Sequence, residues 1–194
     1  MASRLEGKRI AVLATDGVEQ SELEEPMRAA RDAGARVELL SIKSGEIAPE
    51  KHDAKTEPVR VDRTVSDTTA DDYDALVLPG GTKNPDRLRM DRDAVAFVRA
   101  ILDAGKPIAA ICHGPWMLVE ADVVRGLTLT SWPSLRTDIR NAGGSWVDAE
   151  VHVDDGIVTS RNPDDLPAFC AKIVEEFAEG AHDRQRERAG ANVS

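Results

Sequence analysis

The amino-acid sequence predicts an α/β fold of the doubly wound type, in which a mostly parallel sheet is sandwiched by helices. Short, continuous apolar runs recur along the chain, and such runs are typical of parallel strands that are buried on both faces. Segments with helical periodicity lie between these runs, and the links between them are short. Alternation of strands and helices in this way indicates a parallel sheet with helices on both sides.

The predicted strands are apolar runs bounded by Gly, Pro or charged residues. The first two runs flank a helical segment, so residues 9–42 form one βαβ unit. A third run ends in Pro79-Gly80-Gly81, and Asp154-Asp155-Gly156 predicts the turn of a hairpin. Strands are predicted at residues 9–14, 36–42, 75–78, 108–111 and 127–130, with a short edge strand at 59–61 and hairpin arms at 146–153 and 157–160.

The predicted helices follow from apolar residues at helical spacing and from Gly and Pro at the ends. In the first helix, Ser21 and Glu24 resemble a capping pair, and Pro26 is expected in the first turn. In the last helix, Cys170 lies on the apolar stripe and is expected in the core. Helices are predicted at residues 23–33, 94–103, 116–121, 135–142 and 164–177, with a loop or short helix at 86–90. Residues 1–180 then form one domain, and residues 181–194 form a polar, disordered tail.

The composition predicts a cytoplasmic protein with neither a nucleic-acid nor a membrane partner. The 194-residue chain carries a net charge of −10, which argues against nucleic-acid binding. No apolar run is long enough to span a bilayer, and the N-terminus lacks the apolar core of a signal peptide. The two cysteines, Cys112 and Cys170, lie in unlike settings and do not indicate a disulfide framework.

The stretch from Ile108 to Pro115 contains the strongest candidate for a reactive group. A buried strand ends at residue 111, Cys112 occupies a sharp turn, and Pro115 suits the first position of the following helix. This pattern is the cysteine version of a nucleophile elbow. The positive N-terminus of the helix predicts a Cys112 pKa below that of a free thiol. The alternative is a small buried hydrophobic residue, the usual role of a free cysteine.

Three loops are expected to meet at the carboxyl end of the sheet, where doubly wound folds bind ligands. They comprise residues 16–22, 79–86 and 112–115, and their convergence favours a nucleophilic role for Cys112. The amides of Gly81 and His113 are candidate donors for an oxyanion hole. A tight turn alone is the alternative explanation for the glycine pair at residues 80–81.

Acidic and imidazole side chains complete the candidate site. Glu22 can assist a thiolate only as a protonated donor, which requires burial to raise its pKa. For Glu19, complementing the helix dipole is an equal alternative to a role in the pocket. Successive side chains at a turn diverge, so His113 need not be the base that acts on Cys112. The other histidines lack ligand-like spacing from His113, and no metal or other cofactor is predicted.

Five motifs, three of them in the site loops, occur in a consistent order along the chain. They are Asp16-Gly-Val-Glu-Gln-Ser-Glu22, Leu78-Pro-Gly-Gly81, Ile111-Cys-His-Gly-Pro115, Thr130-Ser-Trp-Pro133, and Asn141-Ala-Gly with Trp146-Val-Asp-Ala-Glu150. Over residues 9–177 the chain resembles the PfpI family, a branch of the superfamily that includes the parkinsonism-associated deglycase and class I glutamine amidotransferase domains. The resemblance implies a flavodoxin-like fold of the class I glutamine amidotransferase-like type. Amidotransferase activity itself is disfavoured, because no later His-x-Glu pair is present.

The resemblance also implies roles for individual residues. Cys112 matches the reactive cysteine of the family, Glu22 matches the acid that contacts it, and Glu19 matches a second acid of the same pocket. His113 matches a histidine that pairs with an acid from an adjacent subunit. That acid corresponds to Asp86, where family members carry Glu. The chain is therefore expected to form a homodimer or a larger homo-oligomer.

Three functions are consistent with the sequence. The resemblance implies a stress-protective enzyme that acts on glyoxal, methylglyoxal or their early adducts on proteins. A cysteine peptidase with a Cys112-His113-Asp86 triad is the second, and a redox sensor or chaperone that acts through Cys112 oxidation is the third. Trp116 and Trp132 are expected to line the pocket, Trp132 where some family members carry Tyr. These bulky side chains favour a small carbonyl substrate over an extended peptide.

Overall fold

A computed structural model describes residues 4–52 and 54–181 of the chain. The described residues form six α-helices and thirteen strands, together with four short 3-10 turns. The helices are α1 Gln20–Asp32, α2 Lys83–Leu88, α3 Arg92–Asp103, α4 Trp116–Glu120, α5 Arg136–Asn141 and α6 Leu166–Glu179. The strands are β1 Arg9–Leu13, β2 Arg36–Ser41, β3 Glu46–Ile47, β4 Glu50–Lys51, β5 Ala54–Lys55, β6 Val59–Arg60, β7 Arg63–Thr64, β8 Ala75–Leu78, β9 Ile108–Ile111, β10 Thr128–Leu129, β11 Ser145–Trp146, β12 Val151–Asp154 and β13 Ile157–Ser160.

The central sheet has seven strands in the order β12-β13-β9-β8-β1-β2-β7. Its neighbouring strands are parallel except for β12 and β13, which form an antiparallel hairpin at one edge. Parallel neighbours connected by helices characterise a doubly wound sheet. The predicted fold class, a mostly parallel sheet sandwiched by helices, is confirmed.

Two apolar cores lie on opposite faces of this sheet, because successive strand residues point to opposite sides. One core joins α1 and α6 to strand residues that include Val12 and Val77. The other joins α3, α4 and α5 to the next residues along the same strands, Leu13 and Leu78. Because helices cover both faces, the carboxyl edge of the strands is where a ligand can approach the sheet.

The first helix differs from its prediction. It begins three residues earlier than expected, at residue 20 rather than 23, so Pro26 lies inside the helix and not in its first turn. The N-cap residue is Glu19, which makes no side-chain capping bond, and the predicted Ser21–Glu24 cap is wrong. The early start places Glu22 in the first turn, where it is fully buried. Tertiary packing, which a local capping pattern does not report, decides this boundary.

Several predicted strand segments pair outside the central sheet. Strand β6 pairs with β3 in a two-stranded ribbon, so the predicted edge strand at 59–61 does not join the main sheet. Strand β10 pairs in parallel with β11, which separates Trp146 from the predicted hairpin arm. The hairpin itself forms as expected around a turn in which Asp155 and Gly156 both have positive φ.

The last helix, α6, carries Cys170 near Glu25 and Arg28 of α1. Cys170 packs against the core but is half-buried, so its expected place inside the core is only partly confirmed. The predicted disordered tail lies outside the described residues, apart from Ala181. Within the part of the chain that the structure describes, no helix is both long and apolar enough to cross a membrane.

Candidate active site

Cys112 occupies a strained turn at the carboxyl end of β9. Its φ of +61° lies in the left-handed region, which non-glycine residues rarely adopt. Backbone bonds hold the turn, from Cys112 N–H to the Ser160 carbonyl at 3.1 Å and from Gly114 N–H to the Ile111 carbonyl at 2.8 Å. A Cβ at Gly114 would lie 2.3 Å from the Leu78 carbonyl oxygen, so a larger residue does not fit. This geometry is that of a nucleophile elbow, and it leaves Cys112 only 8% exposed.

Glu22 reaches the same point from the first turn of α1. Its Oε2 accepts the Gly80 N–H at 2.9 Å, whereas the buried Oε1 has no N–H or O–H donor among the described residues. A Cβ added at Gly80 would lie 2.5 Å from Glu22 Oε2 and 2.7 Å from the Cys112 Cβ. Glycine at position 80 therefore allows Glu22 and Cys112 to approach each other. A buried carboxyl oxygen without a donor favours the protonated form of Glu22.

The electrostatic surroundings of Glu22 lead to the same conclusion. Burial raises the pKa of Glu22 to about 8. Hydrogen bonding to Cys112 and to the Gly80 and Gly81 amides lowers this pKa, and the negative charge of Glu19 raises it. Because burial prevails, Glu22 is protonated at neutral pH and can donate a hydrogen bond, as the sequence argument required.

Burial also raises the pKa of the Cys112 thiol, and an ionised Glu22 raises it further. The amides of His113 and Gly81 act in the opposite direction, since they stabilise the thiolate. The predicted Cys112 pKa below that of a free thiol is therefore wrong. That prediction relied on the N-terminus of α4, but α4 has only five residues and Cys112 is buried. At neutral pH, Glu22 and Cys112 both hold their protons.

The Gly81 and His113 amides lie beside the sulfur. Both lower the pKa of the Cys112 thiol, so two N–H donors face one sulfur atom. Gly81 has a φ of +72°, and a Cβ there would lie 2.4 Å from the Gly17 carbonyl oxygen. Glycine is thus required at position 81 by its backbone conformation and by the close approach of the first loop. Two convergent backbone donors are the arrangement that an oxyanion hole needs.

His113 is buried and contacts Cys112 through its ring. Its Nδ1 lies 3.2 Å from the Cys112 Sγ, and its Nε2 lies 3.4 Å from the Ser134 Oγ. Burial lowers the pKa of His113, so the ring is neutral at physiological pH and can accept a proton. The two neighbouring side chains therefore converge rather than diverge. Trp116 and Trp132 pack against the His113 ring, with centroid distances of 5.3 Å and 6.0 Å.

The two remaining acidic candidates lie in different places. Glu19 is half-buried at the N-cap of α1, and its charge acts on Glu22. Asp86 is exposed on α2, and the hydrogen bonds of His113 within the described chain go to Cys112 and to a serine instead. One subunit thus brings together the predicted site residues with the exception of Asp86.

Sequence reasoning missed three polar residues that support the site. Asn84 is fully buried and bonds to the loop that carries the glycine pair. Ser134 faces the Nε2 of His113, and Asp138 accepts the Trp116 Nε1–H at 2.8 Å. Each of the three side chains forms a hydrogen bond to a residue outside its own helix or turn. Only Asn84 carried a signal in the sequence, because it lies in the predicted site loop 79–86, whereas Ser134 and Asp138 lie outside the predicted site loops.

Comparison with known proteins extends over the whole candidate site. Residues 8–176 match the sequence profile of the DJ-1/PfpI family. YraA of Bacillus subtilis (strain 168), provisionally named a cysteine protease, is 44% identical over 162 residues, which cover 84% of this chain and 94% of that protein. Protein/nucleic acid deglycase 2 of Escherichia coli (strain K12) is 45% identical over 163 residues, which cover 84% and 93%. The solved structure of Drosophila melanogaster DJ-1beta matches with a TM-score of 0.79 at 27% identity, over 96% of this chain and 97% of that one.

Proposed function

Because the chain belongs to the DJ-1/PfpI family, we propose that it is a cysteine-dependent enzyme acting on small dicarbonyls, such as methylglyoxal, or on their early adducts with amines and thiols. The observation that carries this proposal is the pairing of Cys112 with a buried, protonated Glu22 at the carboxyl edge of the sheet. The name of the Escherichia coli relative, a deglycase, supports this substrate class. We assign the activity a stress-protective role in the cytoplasm.

The first chemical step forms a carbon–sulfur bond without a cofactor. His113 Nδ1, 3.2 Å from Sγ, accepts the thiol proton as the Cys112 sulfur adds to the aldehyde carbon. The electron pair of the C=O bond moves to oxygen, where the Gly81 and His113 amides bind it. The oxygen then takes the proton from His113, which leaves a thiohemiacetal. The protonated Glu22 donates a hydrogen bond to the sulfur, which becomes negatively charged as the thiol loses its proton.

The surroundings of Cys112 support a small substrate. Trp116 and Trp132 pack on the ring of His113, and Cys112 beside it is only 8% exposed, so this enclosure favours a small substrate over an extended peptide. Peptide hydrolysis also requires a base that is well oriented to protonate the leaving amine. Within one subunit the His113 Nε2 faces the Ser134 hydroxyl at 3.4 Å and not a carboxylate. Peptide cleavage is therefore expected to be slow or absent.

We also propose that the protein is a homodimer or a larger homo-oligomer in which Asp86 approaches the partner subunit's His113. Asp86 is exposed on α2, so a neighbouring subunit can reach it. A carboxylate at Nε2 would orient the imidazole and stabilise its protonated form. Since the aspartate side chain is short, this contact is expected to assist turnover rather than to be essential for it.

Three assays on the same purified protein test the proposed activity: methylglyoxal loss, peptide cleavage and peroxide oxidation. The wild type and Cys170→Ser should consume methylglyoxal, and Cys112→Ser should fall to background. Cys170→Ser is the matched control, because it removes the other thiol of the chain. Peptide hydrolysis abolished equally by Cys112→Ser and Asp86→Ala would establish the peptidase instead. Absence of both activities, with stable peroxide oxidation of Cys112, would establish the redox sensor.

A further inference from the structure

Asn84 is a fully buried polar residue in the first turn of α2. Its Oδ1 accepts the Thr15 N–H at 2.7 Å, which ties α2 to the residues after β1. Its Nδ2 donates to two consecutive carbonyl oxygens, those of Pro79 and Gly80, at 3.0 Å each. Both amide hydrogens of Asn84 are therefore used on the loop that ends β8.

Peptide geometry connects these bonds to the active site. The C=O and the N–H of a trans peptide point in opposite directions, so fixing one fixes the other. The Pro79 carbonyl belongs to the peptide whose N–H is that of Gly80, and this N–H donates to Glu22 Oε2 at 2.9 Å. The Gly80 carbonyl belongs to the peptide whose N–H is that of Gly81, and this N–H stabilises the Cys112 thiolate.

We infer that Asn84 is a positioning residue, which aims the Gly80 amide at Glu22 and the Gly81 amide at the Cys112 sulfur. Its effect on catalysis rests on the proposed function, but its effect on the thiol does not. Gly81 has positive φ, and glycines lack the side chain that would otherwise restrict these peptides. The side-chain amide of Asn84 supplies the restriction that the glycines do not.

Two substitutions separate peptide orientation from added charge. Asn84→Ala removes the three bonds and adds no charge. Asn84→Asp keeps the size and the acceptor for the Thr15 N–H, but it places an oxygen against the Pro79 and Gly80 carbonyls. In both variants the two peptides lose their restraint, and the amides no longer support Glu22 and the thiolate. The pKa of Cys112 should then rise, because the stabilising contribution of the Gly81 amide is weakened.

Iodoacetamide labelling of Cys112 between pH 6 and 10 tests the inference without any substrate. Each variant should label about tenfold more slowly than the wild type at pH 8, which corresponds to a rise of one pKa unit. Tyr73→Phe is the control for lost stability alone. This substitution removes the 2.6 Å hydrogen bond that the buried Tyr73 hydroxyl donates to Glu38, at the end of the strands opposite the candidate site. Its labelling profile should match that of the wild type even where its melting temperature falls.

A second readout uses turnover. If the proposed dicarbonyl activity is present, Asn84→Ala should lower kcat by about 100-fold with KM little changed, the loss expected for one oxyanion donor. Should Asn84→Ala fail to fold, Asn84→Leu, which is uncharged, close in size to asparagine and unable to form the three hydrogen bonds, takes its place. Wild-type labelling profiles in both variants would overturn the inference, and so would slowing in Asn84→Asp alone, because charge would then explain it. A wild type without turnover, combined with slow labelling of both variants, would refute the proposed function and leave the role of Asn84 intact.

Discussion

Replacement of Glu22 by Gln should change how the stability of the protein depends on pH. Burial raises the pKa of Glu22 from 4.5 to about 8 in the folded state, and unfolding returns the side chain to water. Between these two values the folded protein binds one more proton than the unfolded chain, so the free energy of unfolding falls as the pH rises. The fall is about 1.4 kcal/mol per pH unit for one proton. Because Gln cannot ionise, the free energy of unfolding of the variant lacks this dependence on pH.

The difference between the two proteins isolates Glu22. From pH 5.5 to 7.5, the free energy of unfolding of Glu22→Gln minus that of the wild type should grow by about 2 to 3 kcal/mol. The other ionisable groups are the same in both proteins, so the difference removes what they contribute in common. Urea unfolding at pH 5.5, 6.5 and 7.5, with reductant and a fixed protein concentration, measures the difference. Glu24→Gln, an exposed substitution on the same helix, is the matched control for exchanging a carboxyl for an amide.

A stability difference that does not vary between pH 5.5 and 7.5 would refute this reasoning. It would mean that Glu22 is ionised in the folded protein throughout this range. In that state the carboxylate would oppose the Cys112 thiolate and could not donate to it. The proposed role of Glu22 would then be lost together with the stability prediction.

Three further predictions concern the elbow, the two thiols and the assembly. Gly114→Ala should strongly slow iodoacetamide labelling of Cys112 in the folded fraction, because its Cβ would lie 2.3 Å from the Leu78 carbonyl oxygen; labelling at the wild-type rate would contradict this. Peroxide should oxidise Cys112 before Cys170, because the neutral His113 ring, with Nδ1 3.2 Å from the Cys112 Sγ, can take up the thiol proton; mass spectrometry that finds Cys170 oxidised first would count against it. When the Asp86→Ala and Cys112→Ser proteins are mixed, exchange of subunits should restore part of any turnover that Asp86→Ala has lost. Sedimentation that finds a monomer would refute the shared site.

The central strands could be predicted from the sequence because they are buried on both faces. Strands β8 and β9 lie at the predicted residues 75–78 and 108–111, where each position is apolar and buried. The two-residue strands β6, β10 and β11 also have β-forming residues, but they pair in small separate ribbons. Their partners are chosen by contacts between distant parts of the chain, and a local apolar pattern does not contain that information.

The candidate site was predictable as a place, and its electrostatics were not. Loops that follow neighbouring parallel strands meet at the same end of a sheet, and β9, β8 and β1 are neighbours, so Cys112 lies close to Gly81 and Glu22. The ionisation of Cys112 depends on how deeply it is buried and on the protonation of Glu22, and these are properties of the folded state. The role of Asn84 could not be predicted for the same reason, because the sequence does not indicate that its side chain bonds to the Pro79 and Gly80 carbonyls.

Turnover of a dicarbonyl should decline at alkaline pH, because the proposed mechanism requires a protonated Glu22. Above its pKa of about 8 the carboxyl loses its proton, and its charge then opposes the Cys112 thiolate. The value of kcat/KM should therefore fall by about tenfold per pH unit above this point. A cysteine without such a donor would gain activity with pH until its own pKa is reached. Glu22→Gln keeps a neutral donor, so the alkaline decline should disappear in this variant. Wild-type activity that rises steadily from neutral to alkaline pH would show that the protonated carboxyl is not required.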